Sequence, residues 1–232
     1  MPITSRPWAL AFRAAALLVI ATGILRVSGV AGPEFLPRAF LYYTVMSNLL
    51  CLVWMAVLVV TTIVDLRRRG PHGTSTPSPR FSAAVAMAIG ITLLIYMVVL
   101  MPASFSQPGT STAFTLTDNL VHLFTPLLLI IDFVAFVPHG RVRRTDPWLW
   151  LPFPLVYVIF AFTYSGLGGR FAADTKVPYH FMDVDALGVG GVALWLVGLA
   201  VALALVGHLL WLLDRRLGAS AEPEHERAPV EA

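Results

Sequence analysis

A polar stripe runs through one of the most apolar stretches of this sequence, and it contains a histidine that could act as a base. The stretch 118–132, DNLVHLFTPLLLIID, holds four polar residues at i, i+4, i+7 and i+14 of one helical face: Asp118, His122, Thr125 and Asp132. An ionisable side chain at membrane depth is costly, faces the bundle interior or a wet cavity, and is a functional candidate. The first functional hypothesis is therefore built on His122.

Pro126 follows this histidine by one helical turn. Its ring clashes with the carbonyl four residues back, so it should free the carbonyl of His122 as an acceptor. We therefore expect the helix to bend at His122.

A second polar stripe supplies a hydroxyl that could act as a nucleophile. The stretch 40–54, FLYYTVMSNLLCLVW, places four polar or small residues at i, i+3, i+4 and i+7: Thr44, Ser47, Asn48 and Cys51. A threonine hydroxyl is a weak nucleophile, so its attack on an ester carbonyl requires a base to take the proton. His122 is the candidate base, because its charge state is adjustable near neutral pH.

Such a pair needs two kinds of supporting group. A neighbour must fix the histidine tautomer, and Asp118, Asn119 or a residue of the loop before the last span could do so. Ser47, Asn48 or Asn119 could donate a hydrogen bond to the developing oxyanion. These residues complete the expected site on the second and fourth spans.

The loop 176–188, KVPYHFMDVDALG, adds polar groups at the same membrane face. Tyr179, His180 and Asp183 could cap the pocket, bind substrate or orient His122. The competing interpretation for Asp183 and Asp185 is N-capping of the last helix, which the helix dipole favours.

The elements that position these residues are membrane-spanning helices. The chain has 232 residues, 57% of them apolar and only 12% charged, whereas soluble proteins are about a quarter charged. Its mean hydropathy is +0.77. We predict an all-α polytopic membrane protein with six transmembrane helices, because six windows are long enough to cross a core of about 30 Å: 9–29, 40–64, 81–101, 118–137, 148–167 and 186–213.

The basic residues predict the orientation of these helices. Under the positive-inside rule, both termini are cytoplasmic, and the loops 30–39, 102–117 and 168–185 face outward. The second and fourth spans then enter from outside at about Phe40 and Asp118, and each reaches its polar group four residues later. Thr44 and His122 should therefore share one depth in the outer leaflet. The cytoplasmic basic residues are Arg6, Arg13, Arg67, Arg68, Arg69, Arg80, Arg141, Arg143, Arg144, Arg215 and Arg216.

The same features set the domain organisation and exclude several function classes. Residues 1–217 should form one transmembrane domain, and the acidic 218–232 a disordered cytoplasmic tail. The segment 67–80 reads as a flexible cytoplasmic connector. Nucleic-acid binding is not expected, since the basic residues lie at helix ends, and no cofactor or metal is expected, since no His or carboxylate ligands repeat at one depth. Cys51 is the single cysteine, so no disulfide is possible within the chain.

These segments resemble a six-helix membrane family that includes the androgen-induced protein and the androgen-dependent TFPI-regulating protein. The segment YYTVMSNLL around Thr44 looks like the aromatic-rich threonine segment at the start of the family's second helix. The His122 segment, with Pro126 after it and Asp132 ten residues on, is similar to the second family signature. PYHFMD at 178–183 resembles the third, and the likeness covers nearly all six spans.

The resemblance implies an atypical threonine hydrolase of lipid esters. Animal members cleave fatty acid esters of hydroxy fatty acids, and their essential threonine and histidine correspond to Thr44 and His122. The chain departs from the third signature in having His180 where the family often has proline. It looks bacterial, so the expected location is the inner (plasma) membrane, with a lipid substrate entering from the outer leaflet.

Two other classes of function remain open at this point. The same cavity could serve a non-catalytic lipid-binding or quinone-binding membrane protein, or a small transporter. The polar stripes could also merely join helices in a structural subunit, since threonine often bonds the carbonyl one turn back and a membrane histidine often bridges helices. Nothing in the sequence specifies the oligomeric state.

Overall fold

The computed structural model describes residues 2–102 and 114–219, and over these ranges the chain is helical with no strands. Six helices are long and apolar enough to cross a membrane: α1 (Arg6–Val27), α2 (Tyr43–Arg69), α3 (Pro79–Leu100), α4 (Leu116–Phe136), α5 (Asp146–Gly166) and α6 (Val184–Ala219). These helices confirm the prediction of six spans and indicate an integral membrane protein. Part of the predicted loop 102–117 and all but two residues of the predicted tail 218–232 lie outside the described residues.

The first four helices pack around a shared apolar core. Helix α1 contacts α2 and α4, and α3 contacts α2 and α4 on the other side. Ile20, Met55, Leu58 and Ile89 are fully buried in this core. Because lipid tails are as apolar as these side chains, membrane helices associate through close packing and hydrogen bonds between helices. The polar contacts that tie the helices together therefore have particular weight.

Helices α5 and α6 attach to this bundle through α3. The first turn of α5 and the body of α6 both contact α3. A second buried cluster forms where α2 and α4 begin, and it includes Tyr43, Tyr157, Phe171 and Phe181. We call this the Thr44 end of the molecule, and the opposite end, where α1 and α3 begin, the arginine-rich end.

A buried ion pair joins α1 to α4 in the half of the bundle nearer the arginine-rich end. Nε of Arg13 donates to Oδ1 of Asp132 at 2.7 Å, and both side chains are almost fully buried. Nη1 of Arg13 also donates to Thr62 of α2 and to the carbonyl of Ser75, each at 2.9 Å. Such a pair is tolerated at depth because further hydrogen bonds satisfy its remaining protons.

The connection between α2 and α3 is anchored by arginines rather than free. Arg6 donates from Nε to the hydroxyl of Ser75 at 3.0 Å and from Nη1 to the carbonyl of Gly70 at 2.8 Å. Residues 67–69 belong to α2 and residues 79–80 to α3. The segment 67–80 was expected to be a flexible connector, but Arg6 and Arg13 hold its backbone carbonyls in place.

Helix α6 is fastened at the arginine-rich end by a buried carboxylate. Oδ2 of Asp214 accepts a hydrogen bond from the backbone N–H of Val142 at 2.9 Å. Its Oδ1 lies 3.5 Å from Nδ1 of His139, and both side chains are buried. The loop after α4 is thereby joined to the last helix.

Two wide π-helical turns face each other at the Thr44 end. One is Tyr96–Leu100 at the end of α3, and the other is Leu120–Phe124 in α4. In a π turn each N–H bonds the carbonyl five residues back, so Pro126, which has no N–H, leaves the carbonyl of Val121 without its donor. Asn48 of α2 donates to that carbonyl at 3.0 Å. The sequence predicted that Pro126 would free the carbonyl of His122, as it would in an α-helical turn. In the wide turn the freed carbonyl is that of Val121, and Asn48 supplies its donor.

Candidate functional site

The structure brings Thr44 and His122 together. Thr44 lies in the first turn of α2, directly after a 3-10 turn at Pro37–Leu41, and His122 lies in the wide turn of α4. Oγ1 of Thr44 is 3.3 Å from Nε2 of His122. The shared depth expected from the sequence is therefore observed, and the two groups are close enough for direct proton transfer.

The backbone fixes which nitrogen of His122 carries the proton. Nδ1 lies 3.2 Å from the main-chain carbonyl oxygen of Asp118, which can only accept. Nδ1 must therefore be the N–H, and in the neutral ring Nε2 then carries the lone pair. This lone pair faces the Thr44 hydroxyl, so Thr44 donates and His122 accepts.

The plane of the His122 ring is set by an aromatic neighbour. Tyr96, in the wide turn of α3, stacks on the imidazole with ring centroids 4.3 Å apart and planes inclined by 14°. The sequence reasoning did not identify Tyr96. A usable signal existed, since Tyr96 is a lone aromatic polar residue one turn from the end of an apolar span, at about the depth of His122.

Tyr179, one of the predicted supporting residues, packs against the start of α2 from the loop before α6, with its ring centroid 6.2 Å from that of Tyr42. Burial raises the pKa of Tyr179, whereas hydrogen bonds with the side chain and backbone of Thr44, with the Tyr157 hydroxyl and with the backbone of Tyr43 act to lower it. Its ring stacks on Phe181 at 5.3 Å. Tyr157 had not been singled out in the sequence, because nothing in its own apolar span marks it.

The hydrogens of Ser47 and Asn48 are directed at other acceptors. Nδ2 of Asn48 donates to the carbonyls of Thr44 at 2.7 Å and Val121 at 3.0 Å. Ser47 lies 3.0 Å from both the carbonyl of Thr44 and the hydroxyl of Thr92. Both residues thus support the first turn of α2, and the structure does not place them as free donors beside Thr44.

Asp118 meets His122 through its main chain only. Its carboxylate accepts from the hydroxyl of Thr115 at 2.6 Å, within the N-cap of α4. Asn119 donates to the carbonyl of Phe114 at 3.2 Å. The tautomer is therefore set by the Asp118 carbonyl and by neither of the two predicted side chains.

His180 and Asp183 lie in the same loop as Tyr179 but have other neighbours. His180 is exposed, and its ring meets that of Trp195 edge-on at 6.4 Å. Oδ1 of Asp183 accepts from the backbone N–H groups of Asp185 at 2.9 Å and Ala186 at 3.2 Å, which is N-capping of α6. Of the three loop residues, Tyr179 is the one that packs against the start of α2, beside Tyr42.

An apolar cavity of about 250 Å³ lies beside this site, between α3, α5 and α6. Tyr43 and Tyr179 form the part of its wall nearest Thr44, and Ile91 and Leu203 line it deeper in the bundle. A second cavity, of about 400 Å³, shares Leu94, Ile95 and Leu199 with it and opens between α3 and α6. Thr44 and His122 do not line either cavity, so the tyrosines separate the reactive pair from the apolar space.

The groups needed for a metal site do not gather in the described ranges 2–102 and 114–219. No three His, Cys, Asp or Glu side chains there lie close enough to hold an ion. Cys51 is a free, buried thiol in the core of the first four helices.

Comparisons with protein-family models, with curated proteins and with solved structures find no match to this chain. The case for a function therefore comes from the residues and their geometry.

Proposed function

We propose that this protein is an intramembrane lipid-ester hydrolase in which Thr44 is the nucleophile and His122 the general base. The observation that carries the proposal is the 3.3 Å approach of the Thr44 hydroxyl to Nε2 of His122. Because Nδ1 donates to the Asp118 carbonyl, Nε2 is the nitrogen able to accept the Thr44 proton. This is the geometry that an activated hydroxyl nucleophile requires.

The first half of the reaction acylates Thr44. Its oxygen attacks the ester carbonyl while its proton passes to Nε2 of His122, and a tetrahedral oxyanion forms. When the oxyanion collapses, the bond to the alcohol oxygen breaks and the imidazolium returns the proton to that oxygen. The alcohol leaves and the acyl group remains on Thr44.

The second half repeats these steps with water. His122 takes a proton from water, the hydroxide attacks the acyl carbonyl, and the Thr44 oxygen leaves and recovers its proton from His122. The sum is one ester and one water converted into one acid and one alcohol.

A lipid ester is the substrate class that the surroundings favour. The cavities next to the site are lined by aliphatic and aromatic side chains from helices at membrane depth. We assign the arginine-rich end to the cytoplasm by the positive-inside rule, which puts both termini there and Thr44 in the outer leaflet. The resemblance described above further implies a location in the inner membrane of a bacterium and a substrate related to fatty acid esters of hydroxy fatty acids.

The experiment is turnover of a fluorogenic 4-methylumbelliferyl alkanoate by the purified full chain in detergent. Thr44→Ala and His122→Gln should each abolish turnover. Thr22→Ala is the matched control, because the hydroxyl of Thr22 is exposed and bonds only within its own helix, to the carbonyl of Leu18 at 2.8 Å. Intact mass after treatment with a fluorophosphonate should show one adduct, which maps to Thr44. Full turnover by folded Thr44→Ala protein would exclude this function.

A non-catalytic lipid-binding or quinone-binding protein, or a small transporter, is the second candidate. The observation in its favour is that the cavities do not include Thr44 or His122 in their walls. It predicts saturable binding of a spin-labelled fatty acid that is unchanged in Thr44→Ala, and no acyl adduct in the wild type.

A further inference from the structure

Two arginines converge on one tryptophan at the arginine-rich end of the molecule. Trp211 lies near the end of α6, and the guanidinium carbons of Arg144 and Arg215 lie 6.0 Å and 5.9 Å from the centroid of its ring. At such distances the face of an indole attracts a cation. Arg215 is one helical turn beyond Trp211, whereas Arg144 belongs to the loop before α5. The ring therefore gathers positive charge from two segments that are distant in the chain.

Neither guanidinium is neutralised by an acidic side chain of the described residues. No carboxylate among them lies within ion-pair distance of Arg144 or Arg215, and both arginines are exposed. The carboxylates nearest to them in sequence have other partners, since Asp146 pairs with Arg80 and Asp214 accepts from a backbone N–H group. An aromatic face attracts a cation but does not cancel its charge. The cluster therefore retains positive charge that an external anion can neutralise.

The surface beside this cluster is apolar and exposed, as a lipid-facing surface is. Leu205, Leu212 and Arg215 follow one stripe of α6, at i, i+7 and i+10, and both leucines are exposed. Trp148, in the first turn of α5, is also exposed, and its ring meets that of His208 edge-on at 5.2 Å. Positive charge at the end of the spans thus continues directly into an apolar helix face. A phospholipid has the same sequence of parts, a charged head group followed by acyl chains.

We propose that Arg144, Trp211 and Arg215 form a binding site for the phosphate of an anionic phospholipid, whose acyl chains lie along the exposed leucines of α6. Guanidinium groups bind phosphate oxygens through paired hydrogen bonds, and tryptophan anchors helices at head-group depth. An anionic lipid is favoured over a zwitterionic one because only the anionic lipid brings net negative charge to the arginines. The apolar stripe favours a lipid over free phosphate. The site lies at the opposite end from Thr44 and does not depend on the proposed hydrolysis.

The test is a titration of the delipidated full chain in detergent with dioleoyl phosphatidylglycerol, followed by native mass spectrometry. Dioleoyl phosphatidylcholine, which has the same acyl chains and no net charge, should bind more weakly to the wild type. An arginine beside an anionic lipid contributes about fivefold in affinity, so Arg144→Gln and Arg215→Gln should each raise the Kd for phosphatidylglycerol by at least about that factor. The double variant should bind the two lipids equally.

Two further variants separate a defined site from diffuse attraction by the basic end. Arg69→Gln is the matched control, because Arg69 is exposed at the same end and its guanidinium lies 3.6 Å from the carboxylate of Asp65. It removes the same charge and should leave the Kd unchanged. Arg215→Lys keeps the charge but loses the planar group that stacks on an indole and pairs with phosphate, so it should weaken binding. Phosphatidylglycerol should also raise the thermal midpoint of the wild type, and inorganic phosphate at the same concentration should not.

Several results would overturn this site. If Arg144→Gln and Arg215→Gln bind phosphatidylglycerol as the wild type does, the cluster does not hold the lipid. If Arg69→Gln weakens binding as much as they do, the attraction is spread over the whole basic end. Equal stabilisation by inorganic phosphate would assign the cluster to a free anion. Lipid binding that appears only after the glutamates of 218–232 are replaced by glutamine would assign it to the acidic end of this chain.

Discussion

The ring of Tyr96 lies nearly flat on the imidazole of His122, at a centroid distance of 4.3 Å. Each residue sits in a π-helical turn, one at the end of α3 and one in α4. The wide turns direct the two rings towards each other so that they stack. The imidazole that receives the Thr44 proton is therefore held on its face by Tyr96 and at Nδ1 by the carbonyl of Asp118. Wide turns of this kind are frequent at functional sites.

This stacking predicts a graded response at position 96. Tyr96→Phe keeps the stacked ring and should retain activity close to the wild type. Tyr96→Leu removes an aromatic pair, which contributes about 0.5–1.5 kcal/mol, and should lower kcat by about 2–10-fold. The measurement is steady-state hydrolysis of the 4-methylumbelliferyl alkanoate. Equal activities of the two variants would show that the stack does not position His122.

Asn48 should be important for stability as well as activity. Asn48→Leu leaves the carbonyl of Val121 without a donor in the wide turn of α4, and an unpaired buried carbonyl costs about 1–3 kcal/mol. We expect a lower thermal midpoint together with reduced turnover, because the same turn holds His122. The matched control is Asn119→Ala, whose hydrogen bond to Phe114 is exposed. A wild-type midpoint for Asn48→Leu would contradict the role given to this amide.

The pKa of Tyr179 gives a prediction for alkaline pH. Because burial raises the pKa above the ordinary value of 10.0, the neutral phenol persists to higher pH than in an exposed tyrosine. The phenol therefore stays protonated through pH 9, and kcat should show no loss between pH 8 and 9 that depends on Tyr179. The pH profiles of wild type and Tyr179→Phe should run parallel over that range. Convergence of the two profiles below pH 9 would mean that Tyr179 ionises there.

The Arg13–Asp132 pair predicts that the stability losses of its two single variants will not add in the double variant. Removing one partner leaves an uncompensated buried charge, so Arg13→Met or Asp132→Leu alone should cost about 3–5 kcal/mol of stability. The double variant should recover most of that loss. Arg26→Met is the control, since Arg26 makes an exposed hydrogen bond to Thr117. Thermal midpoints in one detergent provide the comparison, and additive losses would argue against a coupled pair.

The sequence predicted the helices and the meeting of Thr44 with His122, because both depend on local rules. Apolar runs of sufficient length predict spans, and alternation of spans across the membrane places residues counted from the same face at the same depth. Thr44 and His122 each lie four residues into a predicted span that enters from the same membrane face, so the sequence was sufficient to predict that they meet.

The partners of each polar group were not predictable in the same way. Asn48 was predicted to be a free donor, because the sequence around it does not show that Pro126 leaves the carbonyl of Val121 in α4 without a donor. Asn48 bonds that carbonyl. Arg13 was interpreted as a marker of topology, because its carboxylate partner, Asp132, lies on a distant helix, α4. Tyr179 was one of several loop residues with equal claims, and only the fold separates it from His180 and Asp183. Contacts between segments distant in the chain decide such cases.

The buried ion pair also constrains the order in which the molecule can be assembled. Arg13 is synthesised well before its carboxylate partner, which follows 119 residues later. A lone arginine within a membrane helix opposes insertion, by at most about 2.5–3.5 kcal/mol, the cost at the helix centre. We therefore expect nascent α1 to keep its guanidinium near the lipid head groups until α4 has been made and delivers Asp132.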